Sequence, residues 1–116
     1  MPRILVIDDD EGVRGLVKDV LAEVGYEVAS AEDGAKGMES CRREVPDLVI
    51  TDLVMPEKEG IETIVAIRRE FPRVRLIAMS GSGKELLGAA RHLGGAVTLS
   101  TPLSIPKLHD AVRALV

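Results

Sequence analysis

The stretch Ile4-Leu5-Val6-Ile7-Asp8-Asp9-Asp10 places three acidic residues directly after a short apolar run. A second apolar run, Leu48-Val49-Ile50-Thr51, is followed in the same way by Asp52. Continuous runs of Val, Ile and Leu are typical of buried parallel strands, and open parallel sheets bind ligands beyond the carboxyl ends of their strands. We therefore predict that these acidic residues gather at one edge of a parallel sheet.

Carboxylates gathered at such an edge repel one another. Two of them about 4 Å apart repel by roughly 4 kcal/mol at an effective dielectric constant near 20. A bound cation, a raised pKa or both must compensate this repulsion. The cluster therefore predicts a divalent metal ion and phosphate chemistry on one of the aspartates. For Asp10, the third acid of the run, we expect a simpler role as the N-cap of the first helix.

The composition indicates one domain with an aliphatic core. Of 116 residues, 46 % are apolar and only 2 % aromatic. The net charge of −4 without a basic stripe argues against direct nucleic-acid binding. No apolar run reaches the roughly 18 residues of a membrane span, and the N-terminus lacks a signal-peptide pattern. The single cysteine, Cys41, excludes an internal disulfide, fits a cytoplasmic location and is expected to be a packing residue.

Strand and helix patterns alternate along the chain. Apolar runs predict five strands, near 4–7, 28–29, 48–51, 76–79 and 96–99. Helical periodicity predicts five helices, near 13–24, 33–44, 61–70, 84–93 and 105–115. The first helix carries the apolar stripe Val13, Leu16, Val17, Val20, Leu21 and Val24 and should end at Gly25, and the last carries Ile105, Leu108, Val112 and Leu115. We expect a single α/β domain over 1–116, a doubly wound five-stranded parallel sheet with helices on both faces and no output domain.

Four motifs, each after a predicted strand, carry a resemblance to a known family. They are Ile4 to Asp10, then Pro46 to Pro56 with Gly60, then Ala78-Met79-Ser80-Gly81, and finally Leu99-Ser100-Thr101-Pro102. In this order and spacing, the chain resembles the receiver domains of two-component response regulators over essentially its full length. The resemblance implies a flavodoxin-like fold with strand order 2-1-3-4-5. In that order, the direction in which successive strands are added to the sheet reverses between strands one and three. A ligand crevice is expected at this point.

The resemblance implies a role for each acidic residue in that crevice. Asp52 is the implied phosphoacceptor, whose carboxylate takes a phosphoryl group from a histidine kinase or a histidine phosphotransfer protein. Mg²⁺ is implied on Asp9, Asp52 and the backbone carbonyl of Val54, with Asp8 reached through water. A downstream effector protein or output domain is the implied target of the signal. We expect an acceptor with at most self-phosphorylation and self-dephosphorylation activity rather than an enzyme, and leave its oligomeric state open.

Three further positions bear on signalling. Ser80 matches the family's switch hydroxyl after the fourth strand. Thr101 stands where the family carries a lysine that pairs with the phosphoryl group, and Thr98 stands where it usually carries a Tyr or Phe that swings inward on activation. Lys58 and Lys84 are the candidates for a substitute cation, although a solvated surface role is the simpler expectation for both.

Two functions therefore remain open at the level of sequence. The complete acidic set favours a phosphoacceptor switch. Thr98 and Thr101 favour a pseudo-receiver, an interaction module that signals independently of phosphorylation. A hydrolase or a flavin carrier on the same fold is disfavoured, because acids follow the first strand and no general acid stands near Asp52. Metal-dependent phosphorylation separates the first two functions.

Thr101→Lys tests whether the missing ammonium limits signalling. We expect this variant to strengthen the conformational response to phosphorylation more than it changes metal binding, because it adds a positive charge at the lysine position of the family. The measurement compares phosphorylation-induced NMR shifts and Mg²⁺ affinity in the variant and the wild type. An unchanged phosphorylation-induced shift would contradict this expectation.

Overall fold

A computed structural model describes residues 1–53, 59–80, 97–100 and 102–116, without the side chains of 59 and 60. Within these ranges five parallel strands form one sheet in the order β2-β1-β3-β4-β5. The strands are β1 (Arg3–Ile7), β2 (Glu27–Ala31), β3 (Leu48–Asp52), β4 (Arg75–Ser80) and β5 (Val97–Ser100). The described helices are α1 (Glu11–Glu23), α2 (Gly34–Arg43), α3 (Glu59–Glu70) and α4 (Ile105–Leu115). The predicted helix at 84–93 lies outside the described residues.

The strand order implied by the resemblance is confirmed. β1 lies between β2 and β3, and its last residue, Ile7, aligns with Thr51 of β3. On the other side of β3, Asp52 aligns with Met79 of β4. Because all pairs are parallel, the last residues of β1, β3 and β4 lie at one edge of the sheet.

The two apolar runs that precede the acidic residues are buried on both faces, as predicted. Every residue of 4–7 and of 48–51 is buried, which explains why neither run alternates with polar residues. One apolar layer packs the sheet against α2 and α3, and the other packs it against α1 and α4. Cys41 is fully buried in the first layer, where burial raises the pKa of its thiol, consistent with a packing role.

The ends of α1 follow the sequence signals. Asp10 is the N-cap, and its carboxylate accepts hydrogen bonds from the backbone N–H groups of Gly12 (2.8 Å) and Val13 (3.3 Å). Just beyond the helix, Gly25 adopts a φ of 95°, the left-handed conformation expected at this position. In the described part of the chain, no helix is long and apolar enough to cross a membrane.

The predicted apolar stripes are wider than the surfaces that bury them. Val17 and Leu21 of α1 are fully buried, but Leu16 is 47 % exposed and Val24 is 59 % exposed. In α4, Ile105 is likewise 42 % exposed. These three residues belong to the predicted stripes but not to the core, because a helix touches a twisted sheet along only part of its apolar face.

Gly37 allows α2 to approach β1 closely, directly below the acidic edge. A Cβ atom on Gly37 would lie 2.9 Å from Cγ1 of the fully buried Ile7. We expect Gly37→Ala to lower the free energy of unfolding by about 1 kcal/mol, because the cost of overpacking exceeds the gain in helix propensity. Urea unfolding followed by circular dichroism measures this change.

Gly15→Ala is the matched control for that substitution. Gly15 is an exposed glycine of α1 with no atom within 4 Å of its added Cβ. It should gain about 0.5–1 kcal/mol from helix propensity alone. Equal stabilisation by the two substitutions would show that the Ile7 side chain moves away from the added methyl group at no cost in free energy.

Candidate functional site

Three carboxylates meet at the carboxyl edge of the sheet. Asp8 and Asp9 follow β1, and Asp52 is the last residue of β3. One oxygen from each side chain can be chosen so that all three lie within 4.8 Å of one another. Asp8 is only 2 % exposed, Asp9 is exposed and Asp52 is half-buried. The predicted clustering of these residues is therefore confirmed.

Backbone and side-chain hydrogen bonds hold the turn that carries Asp8. Its amide donates to the carbonyl oxygen of Ala31 at the end of β2 (3.1 Å). Its carboxylate accepts from the amide of Asp10 (2.8 Å), and its carbonyl oxygen accepts from Nη1 of Arg14 (2.6 Å). Hydrogen bonds thus connect the turn to β2 and to α1, and a further one forms within the turn.

Asp52 is held by the pairing of β3 with β4. It aligns with Met79, and the amide of the following Leu53 donates to the Met79 carbonyl oxygen (2.9 Å). The side chains of Thr51 and Leu53 on either side are buried. Asp52 therefore stands on a fixed backbone, while its own carboxylate is half-buried at the sheet edge.

The environment of Asp8 opposes its ionisation. Its pKa rises from the usual value of 3.8 to about 7, first because burial disfavours the charged carboxylate, and further because Asp52 and Asp9 are negatively charged neighbours. The hydrogen bond from the Asp10 amide acts in the opposite direction but does not offset these effects. The arrangement is therefore strained electrostatically unless a cation joins it.

The three residues fit a Mg²⁺ ion. Their donors are all carboxylate oxygens, the hard ligands that Mg²⁺ prefers. At bond lengths near 2.1 Å, opposite ligands of one ion lie about 4.2 Å apart, so oxygens within 4.8 Å need only a small adjustment or an intervening water. A divalent cation would also relieve the repulsion that raises the pKa of Asp8.

Comparison with known proteins gives the family. The sequence profile of the response regulator receiver domain matches residues 4–113. The chain belongs to this family. The receiver domain is 30 % identical over 112 residues to sporulation initiation phosphotransferase F of Bacillus subtilis (strain 168), covering 96 % of this chain and 90 % of that protein. It is 39 % identical over 84 residues to the chemotaxis protein CheY of the same organism, covering 72 % and 70 %.

Solved structures agree with this assignment. The receiver domain of NtrX from Brucella abortus matches with a TM-score of 0.90 and 27 % identity, over 97 % of each chain. Some other relatives are transcriptional regulators, and this receiver domain spans about half of their length. The family binds Mg²⁺ at an acidic pocket, and Asp8, Asp9 and Asp52 form an acidic cluster in this chain.

The remaining predicted positions of the receiver domain are only partly described. Ser80 ends β4 and is 2 % exposed, so its hydroxyl lies at the same sheet edge as the acids. Thr98 is half-buried in β5 and aligns with Ala78 of β4. The predicted contributions of Val54, Lys58, Lys84 and Thr101 lie outside the described residues.

Arg14 is the residue at this site that sequence reasoning missed. It lies on the first turn of α1, four residues after the N-cap Asp10, and its guanidinium donates to a main-chain carbonyl. A basic residue at this spacing is common on solvated helix faces. Because its partner is a backbone atom, the sequence pattern contains no complementary charge that would reveal the contact.

Asp8→Asn should stabilise the protein at high pH in the absence of Mg²⁺. Between about pH 4 and pH 7 the unfolded chain releases the Asp8 proton while the folded chain retains it, so stability from this group falls as the pH rises. At pH 8 we expect the variant to raise the free energy of unfolding by on the order of 2 kcal/mol, with little effect near pH 4. Urea unfolding at the two pH values measures the difference.

Two controls accompany this experiment. Asp19→Asn removes the same charge from an exposed position of α1 and should not stabilise the protein at pH 8. Added Mg²⁺ should stabilise the wild type more than Asp8→Asn. A variant that is no more stable than wild type at pH 8 would show that burial of Asp8 carries no electrostatic cost.

Proposed function

We propose that this receiver domain accepts a phosphoryl group on Asp52 in a Mg²⁺-dependent reaction and acts as a conformational switch. The observation that carries the proposal is the convergence of Asp8 and Asp9 on the half-buried Asp52 at the sheet edge. Burial of Asp8 beside two carboxylates is unfavourable in the protein alone. A divalent cation bound beside all three carboxylates would compensate this cost.

The environments of the three carboxylates support Asp52 as the nucleophile. Asp8 is buried, and its raised pKa leaves the carboxyl largely protonated below pH 7 without a cation. Asp9 lies on the turn after β1, whereas Asp52 is fixed at the end of a central strand and is partly accessible. A carboxylate oxygen of Asp52 would attack phosphorus as the bond from phosphorus to the donor atom breaks, which leaves an acyl phosphate.

The acidic side chains would hold the metal ion that this reaction requires. Asp9 and Asp52 are the proposed direct ligands, the Val54 carbonyl is a further one, and Asp8 contributes through a water molecule. When bound, Mg²⁺ neutralises negative charge on the phosphoryl oxygens. Once ionised, Asp8 would add negative charge to the pocket and so increase its affinity for a divalent cation.

Ser80 is the proposed link from the phosphorylated site to the rest of the domain. Its hydroxyl is buried at the end of β4, the strand next to β3. A hydroxyl there would donate to a phosphoryl oxygen on Asp52 and draw in the chain that follows β4. This movement would shift a two-state equilibrium and report phosphorylation on the surface.

A histidine kinase or a histidine phosphotransfer protein is the proposed phosphoryl donor, because receiver domains interact with such proteins. The proposed recipient of the signal is an effector protein or an output domain, since several relatives are transcriptional regulators of about twice this length. The domain would act as acceptor, with at most self-phosphorylation and self-dephosphorylation activity. A cytoplasmic location is proposed with this function.

Intact mass after incubation with acetyl phosphate tests the proposal. We expect a gain of one phosphoryl group in the presence of Mg²⁺, because the acidic pocket then carries the cation that the reaction needs. The gain should be absent with a chelator and absent in Asp52→Asn. Asp19→Asn is the matched control, because it removes one exposed carboxylate outside the pocket and should be modified like the wild type.

The opposite result would favour the pseudo-receiver. An unmodified wild type, under conditions in which another receiver domain is fully modified, would contradict phosphoryl acceptance on Asp52. A gain that persists in Asp52→Asn would place the phosphoryl group on another residue and contradict the assignment of the nucleophile.

A further inference from the structure

Arg14 forms a hydrogen bond to the main chain of the acidic site. Its Nη1 donates to the carbonyl oxygen of Asp8 at 2.6 Å, and the donor is a charged guanidinium group, which strengthens the hydrogen bond. The side chain is half-buried, and its own amide donates to the Asp10 carbonyl oxygen at 3.0 Å as part of α1. Both ends of Arg14 are therefore bonded to the turn between β1 and α1.

The Asp8 carbonyl belongs to the peptide group that leads into Asp9. Because a peptide group is planar, a bond that fixes the direction of this carbonyl also fixes the position of the Asp9 amide and Cα. The preceding peptide is fixed separately, since the Asp8 amide donates to the Ala31 carbonyl oxygen at 3.1 Å. Among the described hydrogen bonds, the one from Arg14 therefore fixes the orientation of the peptide group between Asp8 and Asp9.

Asp9 has the most need of such support among the three acids. Asp8 is buried and Asp52 ends a central strand, but Asp9 is exposed on the turn. An exposed carboxylate gains little positional restraint from packing. Its place within the 4.8 Å cluster therefore depends on the backbone that carries it.

Two other basic residues lie near Arg14 and allow a comparison with it. Arg14 shares a groove of about 410 Å³ with Lys36 and Arg43 of α2. Lys36 forms an ion pair with Glu32, and Arg43 is exposed at the end of its helix. No hydrogen bond to the acidic turn is found for either residue within the described part of the chain.

We propose that Arg14 is a positioning residue, which holds the Asp9 carboxylate in place for a divalent cation by orienting the Asp8–Asp9 peptide through the Asp8 carbonyl oxygen. The inference rests on the proposed function, because it assumes that the acidic pocket binds Mg²⁺. Removal of residues that orient metal ligands typically lowers metal affinity by about 10–100-fold. Because Asp9 is held through one hydrogen bond, we expect a loss near the lower end of that range.

Isothermal titration with MgCl₂ compares wild type, Arg14→Gln, Arg14→Lys and Arg43→Gln. Glutamine is too short to reach the Asp8 carbonyl, so Arg14→Gln should lower Mg²⁺ affinity about tenfold. Lysine retains the positive charge and an N–H donor group but not the planar guanidinium, so Arg14→Lys should recover part of that affinity. Arg43→Gln removes the same charge from the same groove without touching the turn and should bind like the wild type. Circular dichroism checks that each variant is folded.

A second measurement uses the wild type alone. During a Mg²⁺ titration the side-chain ¹⁵N resonance of Arg14 should shift with the same midpoint as the backbone amides of Asp9 and Asp10, while that of Arg43 should not. An Arg14 resonance that does not respond would overturn the inference even where Arg14→Gln fails to fold.

The outcomes separate the two proposals. Wild-type Mg²⁺ affinity in Arg14→Gln, or an equal loss in Arg43→Gln, would overturn the role of Arg14 and leave the proposed function intact. A wild type that binds no Mg²⁺ would overturn both. A tenfold loss confined to Arg14→Gln, with partial recovery in Arg14→Lys, would support the role as stated.

Discussion

Burial of the Asp8 carboxyl beside Asp9 and Asp52 is the constraint on which the rest of this structure depends. A carboxyl that is 2 % exposed and has two like charges next to it resists ionisation, and its pKa rises to about 7. The apolar layers on both faces of the sheet cannot relieve this cost, because they exclude water from the inner side of the site. Relief must come from the open edge, where a cation can reach all three carboxylates.

The fold creates this edge through topology and then stiffens it locally. Because β1 is flanked by β2 and β3, the chain ends of β1 and β3 are adjacent although more than forty residues separate them. Hydrogen bonds from Asp10 and Arg14 and to Ala31 hold the turn that follows β1. The close approach of α2 at Gly37 places Ile7, the residue before Asp8, under tight packing. Groups outside the acidic cluster therefore fix the backbone that carries it.

Much of this arrangement could be predicted from the sequence, because it depends on local chemistry. Continuous apolar runs indicated buried parallel strands, Asp10 was expected to cap α1, and Gly25 was expected to end it, and all three are confirmed. The strand order is also confirmed, but its prediction rests on the resemblance to a family and not on periodicity. Once that order is given, the meeting of Asp8 and Asp52 follows from parallel pairing alone.

Other features depend on tertiary contacts that leave no pattern in the sequence. Adjacent residues Asp8 and Asp9 have the same side chain, yet one is buried and the other exposed. Leu16 carries the periodicity of a core residue but lies beyond the surface that the sheet covers. The contact from Arg14 to a carbonyl oxygen depends on the path of the turn, which residue types alone do not specify.

The most direct test of this account is a pH titration of the side-chain carboxyl ¹³C resonances of Asp8, Asp9 and Asp52, with and without Mg²⁺. Without Mg²⁺, the Asp8 carboxyl should titrate with a pKa near 7. With saturating Mg²⁺ its midpoint should move strongly downward, because the cation stabilises the carboxylate form. An Asp8 carboxyl that titrates near its usual value of 3.8 and does not respond to Mg²⁺ would contradict the account.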